Sequence, residues 1–212
     1  MRTKLFLSLM VLVALVSCTI VRHDQPGTPT ATSANSGEFD SVGYVEKTWA
    51  GQVLPELSSH AADLKTVLAA LKTNPDAART QYGRRQEDSA PYTFIVKGSI
   101  AVKAAHLDSA AATLELAVAA PTEDGAVLLQ IGPVIKTSAI RDSLSFVHFG
   151  DFTNQVDFAN LSRALNAQVA NSVVKALDRE HLVGKTISFT GAFAEDASGL
   201  VLITPVAIEV AP

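Results

Sequence analysis

Tyr92-Thr93-Phe94-Ile95-Val96-Lys97-Gly98-Ser99-Ile100-Ala101-Val102-Lys103 changes the character of the chain, and its reading decides the fold. Phe94, Val96, Gly98, Ile100 and Val102 fall on every second position, while Thr93, Lys97, Ser99 and Lys103 point the other way. A period of two marks a half-buried strand. Gly98 sits mid-strand on the inward face, where a missing side chain lets a strand coil sharply or carry a bulge. Leu114, Leu116 and Val118 repeat the alternation with Thr113 and Glu115 outward, and Asp124-Gly125 turns the chain into Val127, Leu129 and Ile131. Three consecutive strands with short connections predict an antiparallel meander.

A helix follows. Asp157 is placed to cap it, and Phe158, Leu161, Ser162, Leu165, Val169, Ser172, Val173 and Ala176 share one face, with Arg163, Ala167 and Asn171 opposite. A fourth strand carries Ile187, Phe189, Gly191 and Phe193 inward. Glu195 to Gly199 turns it into a fifth, which is kinked at Thr204-Pro205. A three-strand meander, a helix and a two-strand hairpin are the connectivity of an oligonucleotide/oligosaccharide-binding (OB) barrel. The expectation is an α+β fold: an OB-like small antiparallel β-barrel over 91–212 behind a helical section over 38–90. An open sheet packed by the long helix is the alternative.

In the helical section Val42, Val45, Trp49, Val53 and Leu57 recur at three- and four-residue spacing, and Pro55 must bend or end that helix. Ser58 or Ser59 is the expected cap of a second helix through Leu64, Val67, Leu68 and Leu71. Asn74-Pro75-Asp76 closes it, and a third short helix stops at Gly83. Arg84 to Ala90 reads as a loop.

Upstream, Arg2 and Lys4 precede the apolar run Leu5 to Val16, which is too short to span a bilayer core of about 30 Å. Leu15-Val16-Ser17-Cys18 then ends it, and Cys18 is the single cysteine of the chain. This pattern resembles a bacterial lipobox. The expectation is a signal peptide over 1–17, a lipidated Cys18, and a Pro-, Gly-, Ser- and Thr-rich tether over 18–37. The protein is then periplasmic and lipid-anchored to the inner or outer membrane. Loss of residues 1–17 removes Arg2 and Lys4, leaving 15 basic against 21 acidic side chains. An acidic domain of this kind is poorly suited to nucleic acid, whose binding depends on basic groups meeting phosphates.

Ile131-Gly132-Pro133-Val134-Ile135-Lys136-Thr137-Ser138-Ala139-Ile140-Arg141-Asp142, Phe149-Gly150-Asp151-Phe152-Thr153-Asn154-Gln155, Leu165-Asn166, Gly184-Lys185 and Thr204-Pro205-Val206, together with the lipobox, resemble the predicted periplasmic lipoproteins of the family domain of unknown function 2291. The resemblance implies a lipid-anchored periplasmic protein with an OB-like fold, whose genes often lie beside those of sugar ABC transporters. It transfers no catalytic or binding residue.

Physically, an Arg fork flanked by carboxylate and amides suits a hydroxyl-rich ligand. Arg141, Asp142, Asn154, Gln155 and Asn166 are the candidate ligand-binding residues. The competing reading has these groups buttress a long loop, with Arg141 paired to Asp142 or Asp151. His23, His60, His106, His148 and His181 lack metal-ligand spacing, and Asp151, Asn154 and Asp157 lack the Gly and terminal Glu of a calcium loop. No nucleophile elbow, phosphate loop or dinucleotide fingerprint occurs. The expectation is a protein without enzymatic activity, cofactor or metal. Its partners are the membrane, through the anchor, and ABC transporter components or a small sugar-like ligand.

Overall fold

A computed structural model describes residues 39–123 and 125–211. The signal segment 1–17, Cys18, the tether 18–37, His23 and Asp124 lie outside the described residues. The fold opens with α1 (Ser41–Thr48), whose first turn is capped by Asp40. A π-turn over Trp49–Val53 leads into α2 (Leu54–His60). Pro55 has no N–H to give to the turn before it, and the widened turn, in which the Leu54 N–H reaches the Trp49 carbonyl, lets the helical run pass it. Val42, expected on the inner face, is exposed, whereas Val45, Trp49, Val53 and Leu57 are buried.

The two-residue strand β1 (Ala62–Asp63) precedes α3 (Leu64–Thr73). The cap of α3 is Asp63, not Ser58 or Ser59: its carboxylate accepts from the Thr66 backbone N–H at 2.9 Å. Both serines fall inside α2, which extends to His60 because Leu57 packs inward. Asn74 caps α4 (Pro75–Tyr82), which ends at Gly83 as expected. The short strand β2 (Gly83–Arg84) follows, then the loop.

The barrel is built from β3 (Thr93–His106), β4 (Thr113–Leu116), β5 (Val127–Gln130), β6 (Thr186–Ala194) and β7 (Val201–Val210). The 14-residue β3 is long enough to serve two neighbours: residues 93–101 pair with β6, and residues 102–106 pair with β4. The order β3-β4-β5-β7-β6 returns to β3, so the sheet closes into a five-stranded barrel. All these pairs are antiparallel except β5 with β7, which run parallel because the helical crossover brings β6 in from the far side. Along the first half of β3, β1 and β2 hydrogen-bond to the edge that β4 does not reach. They leave little of it open to a foreign strand.

Register irregularities fall where the sheet curls. The β3–β6 ladder runs unbroken through Gly98, so of the sharp coil or bulge expected there no bulge occurs, and the irregularity of β3 lies between Val102 and Ala104. A second lies between Thr190 and Gly191, where Val206 is the extra residue of β7, next to the kink read at Thr204-Pro205.

Two apolar clusters result. Phe94, Val96, Ile100, Leu114, Leu129, Ile187, Phe193 and Ile203 fill the barrel together with Leu64, Val67, Leu68 and Leu71 of α3. Phe94 and Phe193 stack with centroids 5.1 Å apart. The outer side of the same strands supplies Ile95, Ala192 and Val206 to a second cluster with α1, α2, α5 (Ala139–Ser143) and α6 (Gln155–Val169). Residues 93–96 are therefore all buried, and the period of two fades where helices cover the outer face.

The cap of α6 is Asn154, not Asp157. Its side-chain oxygen accepts from the Asp157 N–H at 2.9 Å, and its amide donates to the Asp157 carboxylate at 3.0 Å. A π-turn over Ala170–Val174 continues α6. The extra residue per turn rotates the face, so Val174 is buried while Ser172 and Ala176 are exposed.

Candidate functional site

The loop before β3, α5, a 3-10 turn at Phe149–Asp151 and the first turns of α6 enclose a cleft of about 450 Å³. Arg141, Asp142 and Gln155 line it, joined by Gln86, Glu87 and Ser138. Phe149 and Phe158 form an aromatic wall, their rings edge-to-face at 5.3 Å. Short α5 brings Arg141 and Asp142 here because Ala139, Ile140 and Ser143 turn into the core.

The Arg141 fork is engaged within the protein. Its Nε and Nη2 reach Asp142 Oδ1 at 2.7 and 2.6 Å, and Nη1 donates to the Phe158 carbonyl at 3.1 Å. Ser138 donates to the other Asp142 oxygen at 2.5 Å. The Asp142 carbonyl accepts from Thr93 at 3.2 Å and from Gln86 at 3.4 Å. The side chains of Arg141 and Asp142 are only 12% and 16% exposed, so the pair forms a rigid, neutral floor. The groups freer to meet a ligand are the Glu87 carboxylate and the Gln155 amide, with the Phe149 ring beside them.

Asn154 and Asn166 lie elsewhere. Asn154 is taken up by the α6 cap. Asn166 donates to the Thr137 carbonyl at 2.7 Å, pinning α6 to the segment after β5, and its Oδ1 is buried without a partner. Thr137 meets Thr204 at 2.8 Å, Gln130 donates to Thr204 at 2.8 Å, and the Lys136 N–H donates to Gln130 at 2.9 Å. Gln130 and Thr204 are buried, so this network is a seam between barrel and helices. It joins segments distant in sequence, and no spacing pattern announces it.

A second cleft of about 630 Å³ opens at the barrel rim between α3, α4 and the loops after β4 and β6. Leu71, Pro75, Tyr92, Pro121 and Phe193 give it apolar walls, and Ala90 and Pro91 border both clefts. Arg79 clasps Glu195 through Nε at 2.9 Å and Nη2 at 2.6 Å, which raises its already high pKa. Bonds from Ser198 hold the Asp196 carboxyl below its ordinary value. Arg85 lies over the Tyr92 ring, 4.9 Å from its centroid. Trp49 packs in the second cluster, away from both clefts.

Among the described residues no three His, Cys, Asp or Glu side chains are grouped to hold a metal ion, and no described helix is long and apolar enough to cross a membrane.

A model of the family described as "Predicted periplasmic lipoprotein (DUF2291)" matches residues 8–209. Among solved structures, an OB-fold protein from Thermotoga maritima is similar, with a TM-score of 0.65 and 20% identity over 82% of this chain and 99% of that one. That likeness agrees with the closed barrel. No curated protein matches.

Proposed function

Since the chain belongs to the DUF2291 family of predicted periplasmic lipoproteins, we propose that it is a non-catalytic accessory module for solute uptake, anchored through Cys18, with a small hydroxyl-rich ligand such as a sugar as its cargo. One observation carries the reading: two aromatic rings, a paired Arg and Asp, and the amide of Gln155 line a single cleft. Sugar C–H faces pack on aromatic rings, while hydroxyls both donate and accept, as Gln does. The cleft volume lies within the usual range for small-molecule sites. A sugar ABC transporter is the uptake system that the family's genetic setting suggests.

The test is a thermal-shift screen of the mature protein in detergent against pentoses and hexoses. A ligand at 100-fold its dissociation constant should add about 2.7 kcal/mol to stability.

The rim cleft supports a second reading, an envelope-assembly lipoprotein that recognises a protein. Its Pro-, Tyr- and Leu-lined walls suit a peptide segment better than a sugar. Absence of any sugar shift, together with a co-purifying protein lost on Tyr92→Ala, would favour it.

A further inference from the structure

The Arg141 cleft keeps a negative charge once its internal pair is set aside. Three of its lining residues are charged at neutral pH: Glu87, Arg141 and Asp142. Arg141 and Asp142 neutralise one another across contacts of 2.6 and 2.7 Å. Glu87 is exposed, and its carboxylate makes no hydrogen bond or ion pair with another described residue. Arg85, two positions earlier, is not its counter-ion. The Arg85 fork is taken up by the Asp88 carboxylate and carbonyl, both at 2.8 Å, and lies over the Tyr92 ring.

The loop that carries Glu87 is fixed on both sides of it. Gln86 donates to the Asp142 carbonyl at 3.4 Å, and the Ala90 N–H donates to the Glu87 carbonyl at 3.0 Å. The backbone beneath the carboxylate is therefore set before a ligand arrives, which lowers the ordering cost of binding.

The aromatic wall favours the same sign of charge. Arg141 lies over Phe158, 3.6 Å from the ring centroid, so one ring of the wall already holds a cation. Phe149 stands edge-to-face to Phe158, and it is 40% exposed with no described cation over its ring. A cleft with an open ring and an unpaired carboxylate attracts an ammonium group through the ring quadrupole and through the charge together.

We infer that the ligand of this cleft is an amino sugar, its ammonium group held by the Glu87 carboxylate and the Phe149 ring, its hydroxyls by Gln155. The inference rests on the reading of the cleft as a sugar site and names the charge its ligand carries. A sugar acid is repelled by Glu87, and a neutral sugar leaves that carboxylate without a partner.

Titration calorimetry of the mature protein in a neutral detergent tests this with three matched pairs: glucose and glucosamine, galactose and galactosamine, mannose and mannosamine. At about pH 6.5 the amine is protonated and the carboxylate ionised. In at least one pair the amino sugar should bind at least about threefold tighter than its parent. Its N-acetyl derivative, which is uncharged, should lose that advantage, and Glu87→Gln should at least halve it. Amino sugars that bind no tighter than their parents overturn the ammonium site and leave the sugar cleft standing. So does an advantage kept in full by the N-acetyl derivative or by Glu87→Gln. No binding in any pair, charged or neutral, overturns both.

Discussion

Arg141 sits over the ring of Phe158, its guanidinium carbon 3.6 Å from the ring centroid, and donates to the carbonyl of the same residue at 3.1 Å. One side chain thus binds α6 through both the face and the backbone of a single residue, while its fork holds Asp142. The pair is largely desolvated, so loss of one partner strands the other. Arg141→Ala should destabilise the protein by about 2–4 kcal/mol in urea titration. A double-mutant cycle with Asp142→Ala should return a coupling of at least about 1 kcal/mol.

Two mid-strand glycines of the barrel should respond differently to a methyl group. At Gly191 an added Cβ would collide with the Thr204 carbonyl and come within 3.0 Å of Pro205 Cα, and this backbone of the paired strand β7 cannot give way. At Gly98 the nearest atom is the Cδ1 of Ile100 at 3.3 Å, the far end of a flexible side chain. Gly191→Ala should cost more than about 3 kcal/mol and Gly98→Ala less than about 1. Thermal unfolding of the two variants compares them directly.

The buried seam gives a third test. Thr204→Val keeps the shape but removes the hydroxyl shared by Gln130 and Thr137. It leaves the buried Gln130 amide without its acceptor, and unfolding free energy should fall by about 2 kcal/mol. Equal stability of variant and parent would mean that water enters the seam.

The contrast between α3 and α6 shows what the sequence could and could not reveal. Alternation in Phe94, Val96, Ile100 and Val102, and again in Ile187, Phe189 and Phe193, exposed the strands and their inner face because a sheet packed on one side has one apolar interior. The five strands and their succession followed from that pattern and from the kink at Pro205. Their order and closure into a barrel, against an open sheet, came from the pairings of β3 with β6 and of β5 with β7. Helix starts were harder to read. Several Asx and Ser side chains compete as caps near Asp63 and Asn154, and tertiary packing chooses among them. Neither π-turn was visible, since an inserted residue changes no composition. In the cleft, Arg141, Asp142 and Gln155 were legible as polar residues after a core strand. The aromatic wall and Glu87 were not, because the loop before β3 and the turn at Phe149 meet only in three dimensions.

Asp63 provides a test with a definite sign in pH. Bonds from the Thr66 N–H and hydroxyl hold its carboxyl below the ordinary value. A depressed folded-state pKa means that the cap's contribution is complete at neutral pH and fades as acid protonates the group, below about pH 4. Asp63→Ala should cost about 1 kcal/mol at pH 7. The difference from the parent should narrow steadily in denaturation curves taken toward pH 3.

The most direct measurement is a calorimetric titration of the mature protein with the sugar giving the largest thermal shift, repeated on Phe149→Ala and Gln155→Ala. Both positions are exposed, so the fold should survive either change. The predicted result is one saturable site, weakened about tenfold or more by Phe149→Ala, equivalent to about 1.4 kcal/mol, and measurably by Gln155→Ala. No saturable heat with any pentose or hexose, or isotherms unchanged in both variants, would contradict a ligand in the Arg141 cleft.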